Sequence, residues 1–154
     1  MHRTSLPLCV ITLLLTSVAS LTAADSDDAA AVAALEKSAS ALRRDDDGMI
    51  IEVSFRDTQI GDEALVPLAG LPRLRAVLLN ETKITDAGLA TLGKITTLQN
   101  IDLRGCGVSN AGLAHLTKLS LLKGFKLSGK SGATTVDDDG LAHLAGLKNL
   151  KALA

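Results

Sequence analysis

The eight residues Gly124 to Ser131, GFKLSGKS, match the pattern G-x-x-x-x-G-K-[ST] at every position. In a nucleotide-binding loop that pattern works because backbone N–H groups converge on phosphates, between a buried strand and the start of a helix. Here Phe125 and Leu127 alternate with Gly124, Lys126 and Ser128, as on a strand with one buried face. Successive N–H groups of a strand point in opposite directions and cannot form the cradle. Downstream, SGATTVDDDG has the composition of a loop, with no helix pattern opening at Lys130. The match reads as a strand plus the start of an irregular loop. A nucleotide-binding protein is the least favoured reading, and no cofactor is expected.

Other chemistry-bearing residues are equally unsupported as catalytic groups. His115 and His143 hold the same place in successive repeats, which suggests a metal pair, but that column continues as Thr91 and Pro67 and offers no third ligand. Neighbouring helices lie about 8–10 Å apart, so the two histidines read as surface residues. Asp137–Asp139 lacks the alternating ligands and closing Glu of a calcium loop. One of these acids suits a helix N-terminus, where acids are favourable. Cys106 has no histidine placed beside it and falls in a column of buried positions. No Ser-His-Asp or paired-carboxylate spacing is present. The chain is therefore expected not to be an enzyme, and no metal is expected.

Composition narrows the partners. The chain has 154 residues and a formal net charge of −1, room for one folded domain. Phe55 and Phe125 are its only aromatic residues, so base-stacking platforms are absent and no nucleic acid is expected. Residues 1–24 carry Arg3, then the apolar run LPLCVITLLLTSVASL, then TAAD. This is the layout of a signal peptide cleaved after Ala24, with an uncleaved membrane anchor as the alternative. A secreted, periplasmic or cell-envelope location follows, with no other membrane association. Removal of residues 1–24 leaves Cys106 as the single thiol, so no internal disulfide is expected.

An internal repeat dominates the remainder. LPRLRAVLLNETKITDAGLATLGK (71–94) is followed by ITTLQNIDLRGCGVSNAGLAHLTK (95–118), both 24 residues long. LSLLKGFKLSGKSGATTVDDDGLAHLAG (119–146) is the same unit with four residues added, LKNLKALA (147–154) begins another, and 49–70 completes an earlier copy. Apolar columns run through the copies: Ile50, Leu74, Leu98, Leu122 and Leu150; Val53, Val77, Ile101, Phe125 and Leu153; Phe55, Leu79, Leu103 and Leu127. The central L-x-L has the period of a half-buried strand, and the later leucines have the spacing of a short helix or 3₁₀ turn. Between them stands a polar cap at Thr85 or Asp86, Ser109 or Asn110, and Asp137 or Asp138. A unit of one strand and one short helix buries its apolar face only by stacking on copies of itself.

Each copy reads approximately L-x-x-L-x-L-x-x-[T/C]-x-I, then TDAGL or a close variant, and over residues 49–154 this resembles the leucine-rich repeat family. Thr58, Thr82 and Cys106 stand at the ladder position, as in the ribonuclease-inhibitor-like, cysteine-containing subtype found among secreted bacterial repeat proteins. The resemblance implies an α/β, right-handed solenoid forming a horseshoe segment. It places a parallel sheet on the concave face and short helices on the convex face, with four copies plus a partial fifth. It also implies binding of a protein or peptide partner rather than catalysis.

Residues 25–48 read as an N-terminal capping helix and turn. In DDAAAVAALEKSASALRR, Val32, Leu35, Ala39 and Leu42 fall on one helical face, Arg43 and Arg44 suit its C-terminus, and DDDG at 45–48 stops it. The expected partner-binding residues are the outward positions of the concave strands: Glu52, Ser54, Arg56, Leu78, Asn80, Asn100, Asp102, Arg104, Lys126 and Ser128. The inserted loop at Gly129, Lys130 and Ser131 is the other candidate. An alternative role is assembly or self-association through an uncapped C-terminal repeat edge.

Overall fold

The computed structural model describes residues 26–128 and 134–153. Six strands form one sheet in sequence order: β1 (Ala41–Arg44), β2 (Ile50–Ser54), β3 (Ala76–Leu78), β4 (Asn100–Asp102), β5 (Gly124–Lys126) and β6 (Ala152–Leu153). From β2 onward all pairs are parallel, and Val53, Val77, Ile101, Phe125 and Leu153 lie in register. A 24-residue period thus becomes one lateral step across the sheet. Opposite the sheet run the 3₁₀ helix Asp62–Gly70, α2 (Asp86–Leu92), α3 (Asn110–Ala114) extended by the 3₁₀ turn His115–Lys118, and α4 (Asp138–Ala142). The result is a solenoid of strand–loop–helix units.

The apolar columns form the core. Phe55, Leu79, Leu103, Leu74, Leu98, Leu122, Leu89, Leu113 and Phe125 are fully buried. The polar column above them settles which of each adjacent pair caps a helix. Thr85, Ser109 and Asp137 are the N-caps, accepting from Ala87, Ala111 and Asp139 N–H groups. The residues after Thr85 and Ser109, namely Asp86 and Asn110, instead reach forward to the next repeat. Asp62, at the equivalent place in the first repeat, accepts from the N–H (2.8 Å) and hydroxyl (2.6 Å) of Thr85. Asp86 does the same for Ser109 at 2.8 and 2.5 Å. These links explain the glycine of the TDAGL motif. A Cβ on Gly88 would lie 2.5 Å from Asp62 Oδ1, and one on Gly112 would meet the Asp86 carboxylate. Glycine leaves the space through which one repeat's acid reaches the next repeat's cap.

The N-terminal segment departs from expectation. Helix α1 (Ala29–Ser38) begins on Asp28, which caps Ala30 N–H, and ends six residues before Arg44. Leu35 is fully buried and Ala31 nearly so, and Gly70 admits the helix, since a Cβ there would lie 2.9 Å from Ala31 Cβ. Leu42, Arg43 and Arg44 are not helical. They form β1, antiparallel to β2, with Leu42 opposite Val53 and Arg43 opposite Glu52. DDDG is the hairpin turn rather than a helix stop: Gly48 adopts φ +83°, and Asp45 Oδ1 accepts from the N–H groups of Asp47 and Met49. Arg73 of the following repeat grips this turn through Asp45 (3.1 Å) and Asp47 (2.5 Å). The strand wins although Ala, Leu and Arg are good helix formers: propensity is a weak preference, and β2 offers an open row of backbone partners that β1 satisfies.

Candidate interaction face

The outward side of the sheet is built by alternation. With Val53, Val77, Ile101 and Phe125 facing the core, their strand neighbours face away. One row across the strands is Glu52, Ala76, Asn100, Gly124, and the next is Ser54, Leu78, Asp102, Lys126. Just beyond the strands, Arg56, Asn80, Arg104 and Ser128 hold equivalent places in the repeat. Glu52, Arg56, Ala76, Leu78, Asn100, Asp102, Gly124 and Lys126 line an open depression of about 320 Å³.

Burial sorts the expected residues. Arg56, Asn100, Arg104 and Lys126 are exposed, while Glu52, Leu78, Asn80 and Ser128 are half-buried. Ser54 and Asp102 are buried rather than displayed. Ser54 is covered from the residue just before β1, where the Ser40 hydroxyl lies 3.1 Å from its own hydroxyl and donates to its carbonyl. Asp102, 2 % exposed, is clasped by Arg104, whose Nε donates to Oδ1 at 2.9 Å and Nη2 to Oδ2 at 2.6 Å. Burial pushes the Asp102 carboxyl up, but the hydrogen bonds from Arg104 and the charges of Arg104 and Lys126 outweigh it and hold the group below its ordinary value. The same pair raises the Arg104 guanidinium.

Two contributors were not legible one repeat at a time. Arg43, expected in a helix, lies on β1 and binds Glu52 at 2.9 Å. Gly124 makes room for its neighbour, since a Cβ there would lie 2.5 Å from Asn100 Oδ1. Three residues past β2, β3 and β4 the backbone turns left-handed, at Asp57 (φ 57°), Glu81 (φ 59°) and Gly105 (φ 79°). The Glu81 carboxylate lies over Gly105, 2.6 Å from where a Cβ would stand.

The other candidates fall into structural places. Gly124–Lys126 of the phosphate-loop match is strand β5, and the Gly124 N–H donates to Gln99 O at 3.0 Å, so it is committed to the sheet. Gly129, Lys130 and Ser131 lie outside the described residues, as do residues 1–24. Cys106 is fully buried, and its Sγ donates to Leu79 O at 3.1 Å, beside Thr82 Oγ1, which donates to the same carbonyl at 2.6 Å. Burial pushes the Cys106 thiol up, away from the reactive thiolate. The ladder continues at Thr134, which donates to Cys106 O at 2.8 Å. Subtracting the four inserted residues from the third repeat would have found it. His115 and His143 are exposed, and among the described residues no three His, Cys, Asp or Glu side chains gather as a metal site. Nor, among the described residues, is any helix long and apolar enough to cross a membrane.

No protein-family model matches the chain, and no curated protein matches it. Solved structures do. An internalin (inlF) of Listeria monocytogenes is 18 % identical with a TM-score of 0.47, covering 66 % of this chain and 34 % of its own. An internalin C2 (inlC2) of the same organism is 19 % identical at 0.45, over 67 % of this chain and 49 % of its own. A PEPR1–AtPEP1 structure is 14 % identical at 0.49, over 80 % of this chain and 20 % of that one. The chain thus spans between a fifth and a half of the length of these neighbours. Its leucine-rich strand–loop–helix units define a repeat solenoid on their own geometry.

Proposed function

We propose that the chain is a non-catalytic leucine-rich-repeat module, of the cysteine-containing subtype, that binds a protein or peptide on the concave side of its sheet. The observation that carries this reading is the depression lined by Arg56, Leu78, Asn100 and Lys126, in which charged, amide and apolar groups stand together on a rigid parallel sheet. Helix α1 and strand β1 serve as the N-terminal cap, since an open end of a repeat stack would leave core and strand edge bare. The pattern of residues 1–24 supports export to the periplasm, cell envelope or medium, which N-terminal sequencing of the exported chain tests.

The binding reading is tested by capture from an envelope extract with residues 25–154 as bait. A protein retained by the wild-type chain and lost with Leu78→Glu, at unchanged melting temperature, supports it. Retention of the same protein by Leu78→Glu refutes it. The alternative, assembly through the free side of β6, is supported by Leu153, 51 % exposed on a strand paired only with β5 among the described residues. A monomer in sedimentation at all concentrations would eliminate self-association.

A further inference from the structure

The charges of the sheet face do not cancel. Both of its carboxylates are taken by neighbours, Glu52 by Arg43 at 2.9 Å and Asp102 by Arg104 at 2.6 Å. Arg56 and Lys126 are exposed, line the depression, and form no ion pair among the described residues. They stand on its two flanks, Arg56 just past β2 and Lys126 in β5, with β3 and β4 between. The floor between them is small and apolar at Ala76, Leu78 and Gly124, and Asn100 presents an exposed amide.

Resting on the binding reading above, we propose that this face takes an extended acidic peptide segment with two carboxylates four residues apart. Three strand spacings separate β2 from β5, about 14 Å, and Arg56 stands two residues beyond the row of Lys126, which brings their backbones to about 16 Å apart. Four residues of extended chain span about 13 Å, and the long Arg56 and Lys126 side chains reach inward over the difference. An even spacing keeps both acidic side chains on one side of that chain, so each meets one of the two cations. The Asn100 amide, both donor and acceptor, suits the peptide backbone passing over it. Low relief above Ala76 and Gly124 lets a backbone approach, and Leu78 supplies apolar contact. Asp102 attracts Lys126 through space but forms no ion pair with it, and Arg104 holds both of its oxygens. With Arg56 and Lys126 so exposed, the recognition is fast and salt-sensitive rather than tight. Nucleic acid fits less well. It would need many cations and stacking surfaces, and among the described residues this depression is lined by two cations without an ion pair and by no aromatic side chain.

The test is fluorescence anisotropy with residues 25–154 and a labelled peptide, Gly-Glu-Ser-Gly-Ser-Glu-Gly, at low salt. Its glutamine counterpart, a version with the two glutamates one residue apart, and an oligothymidylate serve as comparison probes. The glutamate peptide is expected to bind at least about fivefold more tightly than each of the other three, and to lose about fivefold with Arg56→Gln or Lys126→Gln. Equal binding of the glutamine peptide, unchanged affinity in both variants, or tighter binding of the oligothymidylate overturns the proposal. Failure of the broader reading looks different. If Leu78→Glu abolishes capture of an envelope protein while the glutamate peptide does not bind, the face stands and its acidic preference falls. If the peptide binds wild type and Leu78→Glu equally, the face itself is wrong.

Discussion

Asn110 and Asp137, 27 residues apart, exchange two hydrogen bonds: Asp137 N–H donates to Asn110 Oδ1 at 3.1 Å, and Asn110 Nδ2 donates to Asp137 Oδ1 at 2.7 Å. At the two preceding junctions an acid meets a hydroxyl, Asp62 with Thr85 and Asp86 with Ser109. At the third, the cap itself is the acid, and the bridging residue has changed to an amide that can both donate and accept. An acid at both places would set two carboxylates against each other. Asn110→Asp is therefore expected to lower the melting temperature by about 5 °C at pH 7. Adding Asp137→Ser recreates the Asp86–Ser109 junction and is expected to restore most of the loss. Calorimetry of both variants checks this, and absence of rescue would show the pairing to be incidental.

The wild-type junction also has a pH signature. The Asn110 side chain, then the Gly140 N–H, hold the Asp137 carboxyl below its ordinary value. A carboxyl lowered by folding stabilises the protein above its unfolded-state pKa, and that contribution fades as pH falls through the folded one. Asn110→Asp reverses the sign locally, because repulsion raises one of the two carboxyls. The deficit of that variant should shrink as pH falls from 7 to 4.

Gly112→Ala tests the forward-reaching acid. Its Cβ would meet the Asp86 carboxylate and lie 2.9 Å from Leu89 Cδ1. The expected loss is about 2 kcal/mol in urea unfolding. Asp86→Ala in the same chain should return part of it by freeing the space. A full loss in the double variant would place the cost in the helix backbone instead.

Glu81 holds a left-handed backbone conformation, φ 59°, that Gly105 provides without strain one repeat later. Glu81→Gly is expected to stabilise the fold by about 0.5 kcal/mol, the relief of strain exceeding the added unfolded-state entropy. Gly105→Ala should destabilise it by more than that, since the new Cβ would be strained and would lie 2.6 Å from Glu81 Oε1. Equal and opposite small effects would show that neither position is strained.

Asp102 and Arg104 carry a second pH prediction. Arg104→Gln leaves a buried carboxyl whose burial is no longer outweighed, so its pKa rises above the unfolded value. The wild type loses stability as pH falls through the lowered Asp102 value, whereas the variant gains it. Melting curves of the two chains should diverge at pH 7 and converge toward pH 4. A constant gap would mean that Arg104 contributes packing rather than charge.

How much of this was legible in the sequence follows from what each feature depends on. The columns Val53–Val77–Ile101–Phe125 and Phe55–Leu79–Leu103 could be read directly, because a stacked unit needs an apolar side chain at the same place in every copy. Leu103→Ala should accordingly cost about 2–5 kcal/mol. The capping residue could be narrowed only to a pair such as Thr85 or Asp86. Both residue types suit a cap, and the choice depends on what the adjoining repeat offers. Ala41–Arg44 reads as the end of a helix although it is strand β1, because helical spacing and a short strand look alike over four residues.

The sequence by itself determined the repeat, its core and the outward alternation of its strands, since periodic burial writes itself into residue type. Tertiary structure alone decided that Asp102 is buried and clasped, that Arg43 neutralises Glu52, and that Asn110 answers Asp137. It thereby left Arg56 and Lys126 as the cations of the face without an ion pair among the described residues. The physical reason is that charge pairing is settled through space, between side chains on neighbouring turns of the solenoid or two residues apart on one strand face, and a residue's type says only what it can pair with.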